Sequence, residues 1–185
     1  EKITMSAGAA YNFVVGGDDI CWVHIIDGSC NVVIEGIKSL LCPDHFLFLS
    51  PCEEILFECP ERAVIFRAIV PDAGRFDPSW TELSLKSCLT DWTNEPVLNS
   101  EFDARKRIYM ITPQLSGTKS VKGEMIIYPP GTEASNHHHE GAEHFMVVLD
   151  GVATFYINEE PREVRAGDTV YIYENDRHYI RNDNV

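Results

Sequence analysis

Histidines are concentrated in the second half of this sequence. Five of the seven histidines are His137, His138, His139, His144 and His178. Imidazole nitrogen is a preferred ligand of zinc, iron, nickel and copper ions. The number of these residues within one part of the chain indicates a metal site.

The spacing of the histidines predicts how they would meet. Side chains alternate between two faces along a β-strand, so His137 and His139 are expected to point the same way and His138 the other way. A neighbouring strand adds His144, and a distant strand adds His178. We therefore predict that His137, His139, His144 and His178 bind one divalent metal ion, which is Mn, Fe, Ni or Zn.

Short strands are predicted along the whole chain, because apolar runs of strand length alternate with Gly, Pro, Asp and Asn. No segment has a sustained 3.6-residue apolar period, so the predicted fold is all-β. The predicted strands are Tyr11–Val15, Ile20–Ile26, Asn31–Glu35, His45–Ser50, Glu54–Glu58, Val64–Val70, Arg107–Thr112, Glu124–Tyr128, His144–Leu149, Ala153–Ile157, Thr169–Tyr173 and Tyr179–Arg181.

A weak internal repeat supports two modules. Residues 23–28 and 146–151 both end an apolar run in Asp-Gly. From this glycine the chain runs sixteen residues to Asp44 in the first copy and seventeen residues to Asp168 in the second. Two copies of one β-module explain this agreement better than one continuous sandwich.

The repeat predicts the domain organisation. Residues 1–70 form the first module, residues 101–185 form the second, and residues 71–100 form a linker that packs across both. The first module ends with Val64–Val70, and no equivalent strand follows His178 in the second. Either the natural protein continues beyond this chain, or the linker or a partner subunit supplies the closing strand.

The spacing of glycines and histidines resembles the cupin superfamily. Its two motifs read G-x5-H-x-H-x3-4-E-x6-G and G-x5-P-x-G-x2-H-x3-N. This chain has Gly131-x5-His137-x-His139-x4-His144-x6-Gly151, followed by Gly167-x10-His178-x3-Asn182. The resemblance implies two tandem cupin barrels of the double-stranded β-helix, or jelly-roll, type. It also implies a homodimer, which is common among cupins.

The sequence leaves two neighbouring residues as candidates for the third metal ligand. Six residues before Gly151 the chain has His144, where cupins usually have glutamate, and Glu143 lies one residue earlier. The register from the glycine turn favours His144, on the same face as Met146 and Val148. Glu143 is the alternative, through the shorter spacing or a β-bulge.

The same register predicts that the first module has no metal site. It places Val14 and Gly16 at the positions of the His-x-His pair, Cys21 at the position of His144, and Glu54 at that of His178. The first module is therefore predicted to be a degenerate partner without metal ligands.

Charge and hydropathy exclude some classes of partner. The formal net charge is −14 and no cluster of Lys or Arg exists, so binding to nucleic acid is not expected. Apolar runs are too short to span a bilayer, and the N-terminal residues lack a signal-peptide pattern. We predict a cytoplasmic protein that acts on a small molecule.

Neutral imidazole ligands leave the charge of the ion uncompensated, which favours small anionic or enolic substrates such as carboxylates, ureides and β-diketones. Glu143, Tyr171 and Tyr173 are the candidate catalytic residues, because a phenol or carboxyl group can transfer protons. Glu133 and Glu174 are further candidates to line the site.

The predicted function is that of a metal-dependent enzyme, a hydrolase or a dioxygenase. The segments 143–144, 150–151 and 167–168 resemble the (S)-ureidoglycine aminohydrolase family, which implies hydrolysis of a ureide. That family has Glu in place of His137 and Gln in place of His178. A three-histidine iron dioxygenase and a non-catalytic cupin that binds a small ligand are the alternatives.

Overall fold

The computed structural model describes residues 1–77, 80–82 and 84–184. Three positions of the predicted linker, at 78, 79 and 83, and the last position of the predicted second module, at 185, lie outside the described residues. No helix in the described part of the chain is long and apolar enough to cross a membrane.

The prediction of an all-β fold is confirmed, and each predicted strand overlaps a strand of the structure. The strands, numbered in chain order, are β1 Lys2–Met5, β2 Ala10–Val14, β3 Ile20–Gly28, β4 Cys30–Ile34, β5 Ile37–Leu41, β6 His45–Leu49, β7 Glu54–Glu58, β8 Ala63–Val70, β9 Cys88–Asp91, β10 Leu98–Asn99, β11 Lys106–Ile111, β12 Gly123–Ile127, β13 His144–Val147, β14 Val152–Ile157, β15 Glu160–Arg165, β16 Thr169–Ile172 and β17 His178–Arg181. The helices are α1 Pro113–Ser116 and the 3-10 helices Ala73–Phe76, Trp80–Glu82 and Trp92–Asn94.

The chain forms two compact units. The first contains Glu1–Pro96 and Tyr109–Glu124, and the second contains Val97–Ile108 and Met125–Val185. Strand β9, which lies inside the predicted linker, pairs with β6 of the first unit. The predicted module boundaries, and the packing of the linker across both modules, stay predictions.

Two antiparallel sheets form the first unit. Their strand orders are β1-β8-β3-β6-β9 and β2-β7-β4-β5. Alternating side chains fill the space between them, because one face of each sheet is apolar. Val23, Ile25, Val32, Leu47 and Phe57 belong to this core and are at most 2% exposed.

The second unit contains a two-stranded sheet, β13-β16, and a three-stranded sheet, β15-β14-β17. Phe155, Val164, Ile172 and Ile180 form its buried cluster. In the described residues β13 pairs with β16 alone, whereas β3 pairs with both β6 and β8. The internal repeat predicts that the second module lacks its closing strand, and this stays a prediction.

The internal repeat extends to a hairpin in each unit. Glu35-Gly36 joins β4 to β5, and Asn158-Glu159 joins β14 to β15. Both residues of each pair have positive φ, between 50° and 77°. This is the conformation of a two-residue hairpin whose twist matches that of the strands. Each hairpin follows the glycine of the Asp-Gly turn at the same spacing in the sequence.

The two glycines of the repeated turn make a matched test of this fold. Gly28 and Gly151 have φ of 75° and 81°, which favours glycine. A Cβ on Gly28 would lie 2.1 Å from the backbone oxygen of Arg62, whereas a Cβ on Gly151 would meet nothing within 4 Å. We expect Gly151→Ala to cost only the backbone strain, about 1–2 kcal/mol, and Gly28→Ala to cost more.

Urea denaturation followed by circular dichroism measures both variants. All three tryptophans lie within the first unit, so tryptophan fluorescence should follow the Gly28→Ala transition selectively. Equal losses of unfolding free energy in the two variants would show that the contact with Arg62 relaxes without cost.

Candidate metal centre

Two backbone hydrogen bonds join the segments that carry the first and last predicted ligands. The amide of His137 donates to the carbonyl of His178 at 3.2 Å, and the amide of His178 donates to the carbonyl of His137 at 2.8 Å. The two residues form an isolated antiparallel bridge. Their ring centroids are 4.5 Å apart.

The expectation of a regular strand through residues 137–139 is wrong. Only His137 makes a bridge there, and the two following residues belong to no strand. The rings of His137 and His139 nevertheless converge, with centroids 4.9 Å apart. Hydrogen bonds from the segment after β16 hold this part of the chain: the Asn175 amide donates to the His139 carbonyl at 3.0 Å. The Gly141 amide donates to the Glu174 carboxylate at 2.7 Å.

All four predicted ligands lie close together. Ligand atoms of His137, His139 and His178 are all within 4.8 Å of one another, the only such group of His, Cys, Asp or Glu among the described residues. The His144 ring centroid is 4.1 Å from that of His139 and 5.7 Å from that of His178. His144 is the first residue of β13, and it pairs across the sheet with the buried Ile172.

Backbone carbonyls set the tautomer of two of these rings. Nδ1 of His137 lies 2.6 Å from the Ser135 carbonyl, and Nδ1 of His178 lies 2.9 Å from the Asp176 carbonyl. A carbonyl oxygen only accepts, so each Nδ1 must carry the proton, and each Nε2 keeps its lone pair. Metal-binding histidines usually have such an acceptor on the other ring nitrogen.

His139 has the most perturbed environment of the group. Burial, followed by the proximity of His144, His137, His178 and His138, lowers its pKa to about 4. Its Nε2 is buried and has no hydrogen-bond partner in the described part of the chain. A buried polar atom without a partner is costly. A neutral imidazole with an unsatisfied nitrogen, set among other imidazoles, fits a metal ligand.

Glu143 and Tyr171 form a pair of their own. The hydroxyl of Tyr171 donates to the carboxylate of Glu143, and this hydrogen bond raises the pKa of Tyr171. Tyr173 lies beside them, with its ring centroid 5.0 Å from that of Tyr171. All three side chains are exposed. In the β13-β16 ladder Tyr171 is opposite Phe145, one position from the pair that contains His144.

The two remaining candidates have other positions. Glu133 is exposed and bridges to Arg181 through the backbone. Glu174 holds Gly141, as described above, so it orders the loop between two of the histidines.

A buried ion pair connected to the histidines was missed by the sequence analysis. Asp103 and Arg105 are 2.6 Å apart, and their side chains are 6% and 12% exposed. Asp103 also accepts a hydrogen bond from the Ser135 amide at 3.4 Å. Ser135 is the residue whose carbonyl binds His137. No sequence signal indicated this connection, because Asp103 and Arg105 precede β11 in an irregular segment.

Residues 124–184 match the family model Cupin_2, described as a cupin domain. Residues 124–184 form a cupin domain. This match covers the four histidines and the strands that carry them. A comparison with curated proteins found no match.

Solved structures confirm the cupin fold class. A protein from Pseudomonas aeruginosa, named as glyoxylate-induced, has a TM-score of 0.78 at 13% identity, over 98% of this chain and 68% of that chain. A cupin 2 conserved barrel domain protein from Leptotrichia buccalis has a TM-score of 0.61 at 11% identity, covering 100% and 76%. Oxalate decarboxylase from Bacillus subtilis, solved in a study of its Mn(II) centres, has a TM-score of 0.68 at 13% identity, covering 99% and 65%. Such low identities show the fold of this chain and no more.

The lowered pKa of His139 predicts an acid-sensitive fold in protein treated with EDTA. An unfolded histidine binds its proton near pH 6.5, whereas folded His139 binds it near pH 4. Between these values the unfolded chain holds more protons than the folded chain. The contribution of neutral His139 to the free energy of unfolding is therefore fully present above about pH 6.5 and falls as the pH decreases towards 4.

Thermal unfolding at pH 7.5, 6.0 and 5.0 tests this prediction. His139→Asn should reduce the loss of Tm between pH 7.5 and 5.0, whereas His138→Asn, at an exposed neighbouring position, should keep it. The same pH dependence in both variants would contradict the assignment to His139.

Proposed function

We propose that this cupin is a metal-dependent enzyme that acts on a small polar or anionic molecule. His137, His139 and His178 hold one divalent ion, and His144 is the fourth ligand. The observation that carries the proposal is the group of three imidazoles with ligand atoms within 4.8 Å of one another. The tautomers of His137 and His178 and the unsatisfied Nε2 of His139 support it.

His144 is preferred over Glu143 because of where each side chain lies. The His144 ring is 4.1 Å from that of His139, and the residue opposite it in the ladder is the buried Ile172. Glu143 is exposed and accepts a hydrogen bond from the hydroxyl of Tyr171. Glu143 lies just before the first residue of β13, and its hydrogen bond with Tyr171 supports a role other than that of metal ligand.

Neutral ligands favour an anionic substrate. Burial lowers the pKa of His139 and of His178, so both rings are uncharged near pH 7. A divalent ion held by uncharged imidazoles supplies Lewis-acid chemistry to oxygen donors of a bound substrate. Mn, Fe, Ni and Zn are the candidate ions. The fold that this chain shares with an oxalate decarboxylase whose Mn(II) centres were studied supports Mn, and it supports a carboxylate as the first substrate class to test.

Glu143 and Tyr171, two of the predicted catalytic residues, form a hydrogen-bonded pair. The Glu143 carboxylate accepts a hydrogen bond from the Tyr171 hydroxyl, and this bond raises the pKa of Tyr171, so the phenol stays protonated near pH 7. Because side chains alternate along a strand, Tyr171 lies on the face of the β13-β16 ladder opposite to His144 and Ile172, together with Glu143, to which it donates. The catalytic roles predicted from the sequence for Glu143, Tyr171 and Tyr173 therefore stay predictions. A cytoplasmic homodimer, predicted from the sequence, completes the proposal.

Metal content tests the ligand set. We expect one divalent ion per chain in protein purified without a histidine tag, and loss of that ion after desalting in His137→Ala, His139→Ala, His178→Ala and His144→Ala, because each substitution removes a ligand nitrogen. His138→Ala is the matched control and should retain the ion. Elemental analysis by mass spectrometry identifies and counts the metal.

Two variants, at residues 143 and 144, decide which of these residues binds the metal ion. Glu143→Ala should retain the ion that His144→Ala loses. The reverse result would make the carboxylate the ligand and would overturn the register proposed here, while a metal-free wild-type protein after growth with all four ions would reject the metal site.

Turnover separates the classes of function. Protein loaded with each of the four ions is incubated with small carboxylates, ureides and β-diketones, and EDTA should abolish any activity. Ammonia release would indicate hydrolysis like that of the ureidoglycine family, and oxygen consumption with iron would indicate a dioxygenase. A kcat of Glu143→Gln at least about tenfold below that of the wild type, with metal retained, would support the predicted role of Glu143 in proton transfer, and an unchanged kcat would contradict it.

Saturable calorimetric binding without turnover of any of these compounds would instead identify a non-catalytic ligand-binding cupin. In that case the metal site would stand and the enzymatic part of the proposal would fail.

A further inference from the structure

The first unit contains a cavity that no metal ligand lines. It has a volume of about 430 Å³ and opens between its two sheets. Val32 and Leu47, both 2% exposed, form its deep apolar wall. Ile37 and Leu89 also line the cavity, and they are 69% and 40% exposed. Volumes of roughly 300–1,000 Å³ are typical of sites for small molecules, and the wall of this cavity is about equally polar and apolar.

One end of the cavity is polar and ordered. Ser50 and Ser87 each donate a hydroxyl proton to Oε2 of Glu53, both at 2.9 Å. The Ser50 amide donates to the Ser87 hydroxyl oxygen at 3.0 Å. All three side chains are half-buried and line the cavity. These hydrogen bonds fix the position of the carboxylate before any ligand arrives, which reduces the entropy that binding would cost.

The carboxylate has capacity for another donor. Both serine hydroxyls use Oε2, and Oε1 of Glu53 receives no hydrogen bond from the described residues. A carboxylate accepts several hydrogen bonds, and the strongest come from charged donors. Glu35 and Lys86, the other charged residues of the lining, are exposed and opposite in charge. The net charge of −14 also favours cations over anions at this protein.

We propose that this cavity is a second, metal-free binding site for a small molecule with an ammonium group and an apolar body. The ammonium group donates to Glu53 Oε1, and the apolar body lies against Val32 and Leu47. The ligand also covers the exposed side chains of Ile37 and Leu89. This site is separate from the histidine cluster, because all of its lining residues belong to the first unit.

Three matched probes of one length test the proposal on the full chain: hexylamine, hexan-1-ol and hexanoate, titrated by calorimetry at pH 7. Hexylamine should bind at least about tenfold more tightly than the alcohol, because a hydrogen bond between charged groups contributes more than a neutral one. Hexanoate should bind most weakly. Similar affinities of the amine and the alcohol, or tighter binding of hexanoate, would overturn the proposal.

Two variants locate the binding. Glu53→Gln should weaken hexylamine at least about tenfold and leave hexan-1-ol unchanged, since it removes the charge and keeps the shape. Ser39 is half-buried and lines the cavity, so Ser39→Phe should fill the cavity and weaken the binding of both probes. His137→Ala should leave hexylamine binding unchanged, so failure of the metal site would not affect this result. Unchanged hexylamine affinity in folded Glu53→Gln, verified by circular dichroism, would overturn the role of Glu53.

Discussion

The reciprocal backbone hydrogen bonds between His137 and His178 are the constraint on which the histidine cluster depends. They join residues 41 positions apart at 2.8 and 3.2 Å, and they continue a series of backbone hydrogen bonds between the same two segments, in which the Ala134 amide donates to the Ile180 carbonyl at 2.9 Å. Once this bridge forms, the Ser135 and Asp176 carbonyls lie within reach of the two Nδ1 atoms. Backbone geometry therefore orients the rings of His137 and His178.

Electrostatics explains why such a cluster is stable only with neutral rings. Burial already disfavours the charged form of His139, and each neighbouring imidazole that became charged would disfavour it further. The buried Asp103–Arg105 pair is bound to the same region through Ser135 and balances its own charges. A bound cation would satisfy the unpaired Nε2 of His139, so the local cost of the apo arrangement is an argument for a ligand at this place.

The sequence predicted most strands because their apolar residues alternate between Gly, Pro and Asp turns. It missed β15, Glu160–Arg165, because five of its six residues are exposed and its Pro161 is typical of an edge strand. It also missed β1, β5, β9 and β10, each of which has at most one buried residue and therefore no apolar face to indicate a strand.

At the site, histidine spacing was sufficient to predict which residues meet. It was insufficient to predict how they meet, since the isolated bridge at His137 and the contacts of Asn175 and Glu174 depend on tertiary hydrogen bonds.

The two units show how one fold can support different chemistry. Cys21 takes the place that the repeat assigns to His144, and burial raises the pKa of its thiol to about 12, so it stays an uncharged core residue. The described residues of the first unit contain no such group of ligands, and in the cavity of this unit two serines hold the carboxylate of Glu53 in place. Uncharged imidazoles around a cation favour anionic ligands, whereas a carboxylate beside apolar side chains favours cationic ones. The two proposed sites of this protein would therefore differ in the sign of the charge that they select, although the strands that form them repeat.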